Sequence, residues 1–338
     1  MCVSPARRSR PPIFPLKRER LTRSKSSMKF FDTPATREAL DFATLIPSLK
    51  EAFIKGCEVP LRHSHTINSG DGNTGTVLIM PAWEADRYLG IKTVNIFPAN
   101  QGRGMPGLHS TYVLYDAGTG EPLAQMDGNE ITSRRTAAAS ALAATLLARD
   151  DSSHMVLLGA GRVASLVPAA YRSQLPITHV EVWDIYPESA ARLVQQLRDE
   201  GFNAAVVSSL PDSVARADVV SCATLATEPI IRGSWLRPGT HLDLIGSFTP
   251  QMREADDDCF RNARVFVDTD EALRKSGDLI GPLSRNVISL ADLNGTLAAL
   301  CRGDVGGRFD GSERTVFKAV GTALEDLAAA TQVYEKHV

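Results

Sequence analysis

Two stretches of the chain carry residue types whose spacing can do chemistry. The first runs from His154 to Ala164, where a short apolar run, Met155 to Leu158, breaks into Gly159-Ala160-Gly161 ahead of a helical pattern from Arg162. Strand, glycine turn and helix in that order form a dinucleotide cradle. The first glycine permits the tight turn, the second lets backbone approach a pyrophosphate, and a small residue at Ala164 lets helix and strand pack closely. The helix N-terminus then faces the phosphates. The next strand-like run, Thr178 to Trp183, ends in Asp184, the place about 20 residues past the glycines where an acid accepts hydrogen bonds from ribose hydroxyls. A 2′-phosphate would meet a like charge there, and no Arg or Lys follows until Arg192, so NADH is favoured over NADPH. Glycine turns also serve purely structural connections, and a strand-end Asp is at home in solvent; together the two features point to a nicotinamide cofactor.

The second set is three cations, Arg62, Lys92 and Arg135. Arg62 lies in a strand-like segment, Leu61 to Ile67, where an arginine on its own reads as part of a solvated face. Lys92 lies on Tyr88 to Ile96, ahead of the turn-rich stretch Phe97 to Gly107, and such loops often carry sites. Arg135 opens an alanine-rich, strongly helix-forming segment, Ser133 to Arg149.

Several elements must position these groups. Pro34 follows Thr33, a candidate N-cap, and Thr44 to Lys55 has apolar residues at helical spacing. Strand-like runs at Leu61–Ile67, Thr76–Pro81, Tyr88–Ile96, Ser110–Asp116 and Pro122–Asp127, parted by turn residues, predict a mostly antiparallel sheet. After Asp184, Pro187 to Glu200 reads as a helix ending at Gly201. Short apolar strands at Ala204–Val207, Asp218–Cys222, His241–Ile245 and Arg264–Val267 alternate with helical or loop segments, the pattern of a doubly wound parallel sheet. Leu290–Cys301 and Val316–Tyr334 are read as closing helices.

At 338 residues, with 43% hydrophobic and 22% charged residues, the chain has room for two domains and the composition of a soluble enzyme. No apolar run approaches the roughly 20 residues of a membrane helix. The five cysteines lack metal-like spacing, which suits reduced thiols and a cytoplasmic setting. Net charge is −2, but residues 1–27 are rich in Arg and Lys, so the remaining body is acidic and ill suited to nucleic acid. That leader reads as a disordered basic extension, with a transit peptide as the alternative. His63 and His65 alternate on one strand without a third ligand at convincing spacing, so no metal site is expected. Asp256-Asp257-Asp258 reads as a solvated loop, Asp278 as a supporting partner or a helix cap, and Lys318 as a cofactor neighbour or the start of a helix.

The strings K-T-V-N-I-F-P-A-N-Q-G-R-G-M-P-G from Lys92, D-G-N-E-I-T-S-R-R-T-A-A-A-S from Asp127, L-L-G-A-G-R-V-A, S-G-D-L-I-G-P-L and T-V-F-K-A-V-G-T-A-L-E-D-L resemble the ornithine cyclodeaminase/mu-crystallin family, in order, over about residues 30 to 335. The resemblance implies an α/β fold in which a Rossmann domain (136–311) is inserted in an α+β substrate and dimerisation domain (28–135 plus 312–338), and a homodimer. It implies that Arg62 and Arg135 hold a substrate carboxylate and that Lys92 is the catalytic lysine, itself touching substrate. The cofactor would meet Arg135 and Thr136, then Gly159, Gly161, Arg162 and Val163 of the turn, Asp184, Thr224 and Gly246. Val320 and Gly321 would lie by the nicotinamide end. The chemistry agrees: a guanidinium grips a carboxylate bidentately, and a lysine is a mobile proton donor whose proton loosens when it is desolvated beside other cations.

One departure selects a branch. Cyclodeaminases of the family carry an acid in the loop after the strand matching His241–Ile245, whereas this chain reads Gly246-Ser247-Phe248-Thr249-Pro250. Phe248 transfers no protons, although Asp243 is near. The stretch resembles the ketimine reductase branch, which implies NADH- or NADPH-dependent reduction of a cyclic imino acid, 1-pyrroline-2-carboxylate to L-proline, or the six-membered analogue to L-pipecolate. The alternatives are an amino-acid dehydrogenase or condensing dehydrogenase acting on a linear 2-oxo acid, a true cyclodeaminase, and a mu-crystallin-like binding protein.

Overall fold

The computed structural model describes residues 27–68 and 74–338; all but the last residue of the basic leader, 1–27, lies outside the described residues. The first sheet has six strands: β1 (Lys29–Phe31), β2 (His63–Asn68), β3 (Thr74–Trp83), β4 (Tyr88–Ile96), β5 (Leu108–Asp116) and β6 (Pro122–Asp127). Their order is β1-β6-β5-β4-β3-β2, antiparallel apart from the β1–β6 pair. Three helices accompany it: α1 (Thr33–Ala39), α2 (Phe42–Lys55) and α3 (Gly128–Leu147). Asp32, not Thr33, caps α1, its side chain accepting from Ala35 N, because Thr33 already has helical backbone.

Helix α3 starts earlier than expected, capped by Asp127, whose carboxylate accepts from the Asn129 and Glu130 amides. Its alanines are buried on all sides, the signature of a helix enclosed by structure on every face. It packs on α2, on β5 of the first sheet and on two strands of the second, β11 (His241–Leu244) and β14 (Arg314–Lys318). A division at residues 135/136 therefore falls inside one continuous helix.

The second sheet is all parallel, in the order β13-β12-β14-β11-β10-β7-β8-β9. It is built from β7 (His154–Leu158), β8 (His179–Trp183), β9 (Asn203–Val206), β10 (Val219–Cys222), β11, β12 (Ala263–Val267), β13 (Leu293–Thr296) and β14. The helices α4 (Val167–Arg172), α5 (Pro187–Asp199), α6 (Leu210–Arg216), α7 (Ala272–Lys275), α8 (Gly277–Ser284) and α9 (Leu297–Arg302) connect them. Strand order reverses between β7 and β10, and such a switch point opens a crevice at the strands' C-terminal ends.

Two expected closing helices are corrected. Leu290–Cys301 is divided into a short turn, β13 and α9, since Gly295 takes φ +144° and Leu293–Thr296 pairs with β12. Val316–Tyr334 is divided as well: Arg314–Lys318 is β14, hydrogen-bonded between β11 and β12, and the helix, α10, spans only Ala323–Glu335. The chain thus returns to the first sheet after β14, not at residue 312. Helix α10 then packs on α2, α3, β3 and β4. After Gly161 the backbone makes a 3-10 turn at Ala164–Leu166 before α4, in place of one helix from Arg162. Among the described residues no helix is long and apolar enough to cross a membrane, and Cys57, Cys222, Cys259 and Cys301 are free thiols.

Candidate active site

Lys92 reaches the interior because β4 alternates: Gly90, Lys92 and Val94 point inward. Gly90 is glycine for a reason of space, since a Cβ there would collide with the hydroxyl of Tyr112, on β5. Lys92 is 2% exposed. Its ammonium lies 2.6 Å from Asp326 Oδ2 on α10 and donates to Thr132 Oγ1 on α3 at 3.2 Å. Burial pulls the Lys92 ammonium down to about 8, Arg135 and Arg62 pull the same way, and Asp326 opposes them.

Arg135, one turn further along α3, shares the same carboxylate: its Nε donates to Asp326 Oδ1 at 2.9 Å and its Nη1 to Glu325 Oε2 at 2.6 Å. Burial lowers the Arg135 guanidinium's pKa, but Asp326 and Glu325 outweigh it and hold the guanidinium above its usual range. Burial likewise pushes Asp326 up, but Lys92 and Arg135 prevail and hold it below the ordinary carboxylate value. Glu325 goes the other way: burial, with Asp268 and Asp326 nearby, pushes it up to about 8.

Gly321 joins this cluster to the other cation. Its φ is +76°, and a Cβ there would sit 2.5 Å from Arg135 Nη1, so the Val320-Gly321 turn leaves room for the guanidinium. Asp268, just past β12, accepts from Val320 N and Gly321 N at 2.7 and 2.6 Å. Arg62, which precedes β2, donates through Nη2 to Gly321 O at 3.3 Å and lies 3.7 Å from Glu271. Its burial lowers the guanidinium's pKa. Arg62, Lys92 and Arg135 thus converge on one place, between the first sheet and the turn that follows β14.

The residues expected at a nucleotide's phosphates and ribose lie at the C-terminal ends of the second sheet. Gly159 has φ +100°, and a Cβ on it would lie 2.6 Å from Ala223 O, whereas one on Gly161 would meet nothing within 4 Å. The second glycine therefore opens onto free space, as backbone approached by a pyrophosphate must. Arg162 is exposed and Val163 half-buried beside it. Asp184 braces the turn, accepting from Ala160 N at 2.7 Å and Tyr186 N at 2.8 Å; each oxygen keeps a lone pair for a ribose hydroxyl. Thr224 and Gly246 follow β10 and β11. Both are tied to one buried carboxylate: Glu254 Oε1 accepts from Thr224 N and Oγ1, and Oε2 from Gly246 N. Thr136 turns its hydroxyl back onto Thr132 O within α3. An open glycine turn with a carboxylate beside it is a set of groups that fits a dinucleotide.

Other singled-out residues lie elsewhere. His63 and His65 sit on the wholly exposed β2. Lys318 neither starts a helix nor faces solvent; it ends β14, fully buried, 3.5 Å from Asp278. Asp278 also accepts from the Glu254 and Ala255 amides. Asp256 caps a turn and Asp257 pairs with Arg253 and Arg285. Asp243, whose carboxyl burial pushes up to about 6, is enclosed and bonded by Ser140 and Ser221, while Phe248 is 48% exposed. Reasoning from sequence missed Asp326, Glu325, Asp268, Thr132 and Glu254. The one signal was the Glu325-Asp326 pair inside an otherwise apolar helical stripe, which also reads as two acids placed to complement a helix N-terminus.

The model of the family described as "Ornithine cyclodeaminase/mu-crystallin family" matches residues 33–338. The chain belongs to that family. It is 40% identical over 262 residues to Delta(1)-pyrroline-2-carboxylate reductase of Paracoccus denitrificans, covering 77% of this chain and 83% of the relative. The solved structure of Thermococcus litoralis Delta(1)-pyrroline-2-carboxylate reductase, in complex with NADH and L-proline, superposes with a TM-score of 0.85 at 33% identity, over 91% of this chain and 97% of that one. An archaeal alanine dehydrogenase dimer with bound NAD gives 0.83 at 29% identity, over 91% and 95%. The α/β fold with its parallel nucleotide sheet is thus the fold of this family.

Proposed function

We propose that the protein reduces the cyclic ketimine 1-pyrroline-2-carboxylate to L-proline, as a nicotinamide-dependent oxidoreductase acting on a C=N bond. The observation that carries this reading is the convergence of Arg62, Lys92 and Arg135 around the Val320-Gly321 turn. The likeness to two pyrroline-2-carboxylate reductases supports it. The bound cofactor supplies a hydride to C2 of the imine. Arg135 keeps its Nη edge beside Gly321 and Arg62 approaches from the first sheet, so the two guanidiniums grip the substrate carboxylate. Lys92 Nζ gives its proton to the ring nitrogen. Fixing the carboxylate at one end and the nitrogen at the other holds C2 in place, and such positioning supplies much of the rate. Phe248 sets an apolar ring where a cyclodeaminase needs an acid, which favours reduction over ammonia loss.

NADH is the preferred cofactor in this reading, because Asp184 sets a carboxylate where a 2′-phosphate would sit; NADPH is the weaker alternative. The first sheet, with α2, α3 and α10, is the substrate and dimerisation unit, and the second sheet the cofactor unit. A homodimer suits β2, whose exposed edge invites pairing, and the cytoplasm suits the free thiols. The test is NADH oxidation with 1-pyrroline-2-carboxylate against pyruvate plus ammonia. A far higher kcat/KM for the ring supports the proposal, and a preference for the linear oxo acid overturns it.

A further inference from the structure

We infer that Asp326 is the positioning residue of the reaction's proton donor: one carboxylate, bridging Lys92 and Arg135, aims the lysine and keeps it an ammonium. The inference rests on the reductase reading above and goes on to assign what prepares Lys92 for its step.

The geometry leaves little freedom. Asp326 is fully buried, with one oxygen 2.6 Å from Lys92 Nζ and the other accepting Arg135 Nε at 2.9 Å. The Thr132 hydroxyl donates its own proton to Gly128 O at 2.7 Å, so it can only accept from Lys92. Of the three N–H groups of the ammonium, one is accepted by Thr132 Oγ1 at 3.2 Å, and Asp326 Oδ2 at 2.6 Å is its ion partner. Arg135 spends Nε on Asp326 and one Nη1 hydrogen on Glu325, and its Nη1 and Nη2 lie beside Gly321. Asp326 therefore sets the angle between proton donor and carboxylate clamp.

The charges around it explain why an acid is needed. Lys92 faces Asp326 from β4, Arg135 from α3, Tyr112 from β5 and Arg62 from the segment before β2, with Glu325 beside it on α10. Burial and both arginines drive Lys92 toward the neutral amine, and Asp326 is the carboxylate that resists them. Glu325 is a poor substitute, since its Oε2 is already engaged by Arg135 Nη1 at 2.6 Å. In the step itself the Lys92 N–H bond breaks, the ring N–H bond forms, and C2 takes the hydride as the dinucleotide is oxidised. Lys92 is left a neutral amine and regains its proton from solvent, while Asp326 stays a carboxylate throughout.

The test uses the full chain with Asp326→Asn and Asp326→Glu. It follows kcat against pH with NADH and 1-pyrroline-2-carboxylate, alongside melting temperature and NADH fluorescence titration. Losing an opposite charge at this distance moves a titration by about one to three pH units. The alkaline limb of the Asn variant is expected to shift that far toward acid, and kcat at pH 8 to fall at least about fivefold, with NADH affinity near wild type. The Glu variant keeps the charge in a displaced position and is expected to keep the limb at a reduced kcat. A uniform loss with the limb unmoved in Asn overturns the assignment and leaves the reductase reading intact. If the Asn variant does not fold, a limb shifted toward acid in the Glu variant overturns it equally. A wild type inactive on the cyclic imine at every pH overturns both.

Discussion

Replacing Asp184 with Ala tests the cofactor reading through a ratio. Asp184 has two tasks in this structure: it accepts the Ala160 and Tyr186 amides at 2.7 and 2.8 Å, and by the proposal it accepts ribose hydroxyls. Losing the amide bonds loosens the glycine turn for NADH and NADPH alike, so that cost cancels when the two are compared. What remains differs between them. NADH loses hydrogen bonds to a charged acceptor, each worth about 1.5–3 kcal/mol. NADPH is freed of repulsion between its 2′-phosphate and a carboxylate, about 1 kcal/mol in water and about 4 kcal/mol at a partly shielded surface for unit charges 4 Å apart. Together these shift the preference by at least about 2.5 kcal/mol, and since 1.4 kcal/mol is tenfold, the ratio of KM values should move toward NADPH by about fiftyfold or more. The assay is initial rate against each cofactor at saturating imine, checked by fluorescence titration. Equal weakening of both cofactors, with the ratio unchanged, would refute the ribose assignment and leave Asp184 a brace for the turn.

Three further outcomes are expected. Lys92→Ala should lower kcat by about 10²–10⁴, the usual share of a general acid, with NADH binding retained, because Lys92 touches none of the glycine-turn residues; equal loss of both would make the lysine structural. Gly321→Ala forces a Cβ to within 2.5 Å of Arg135 Nη1 at φ +76°, so kcat/KM for the imine should fall by about 10²-fold through misplacement of the clamp, and an unaffected value would show that Arg135 does not hold substrate. Asp243 is pushed from 3.8 to about 6 by burial, so the folded state binds its proton more tightly than the unfolded chain does. Its destabilising effect is absent below the unfolded value, grows as pH rises to about 6 and is then constant, reaching about 3 kcal/mol. Asp243→Asn should therefore melt higher than wild type by a margin that widens from pH 4 to 6 and then levels off; a margin independent of pH would contradict this.

What could be read from sequence was whatever is written locally. The Gly159–Gly161 turn and Asp184 belong to contiguous strand–turn–helix and strand–end patterns, and β4 and β6 have the limits their alternation predicts. The segment Arg314–Lys318 resisted, because Val316, Phe317, Ala319 and Val320 also read as the first turns of the helix that follows, despite Gly321 and Thr322 before it. It is a strand only because β11 and β12 offer it hydrogen bonds on both sides, a fact held by distant residues. The Leu290–Cys301 run misleads for a local reason: Asn294-Gly295 is a poor helix interior, and that signal was outweighed by the flanking leucines and alanines. The acids of the site were hidden by distance. Asp326 meets Arg135 across 191 residues of sequence, and nothing near either residue announces the other.

The most direct measurement follows NADH absorbance at neutral pH with 1-pyrroline-2-carboxylate, with chiral analysis of the product, beside an ammonia-release assay on L-ornithine. The account predicts rapid NADH oxidation, L-proline as the product and no ammonia. Ammonia released without net NADH consumption would contradict it, since a base other than one at Phe248 would then be running a cyclodeaminase.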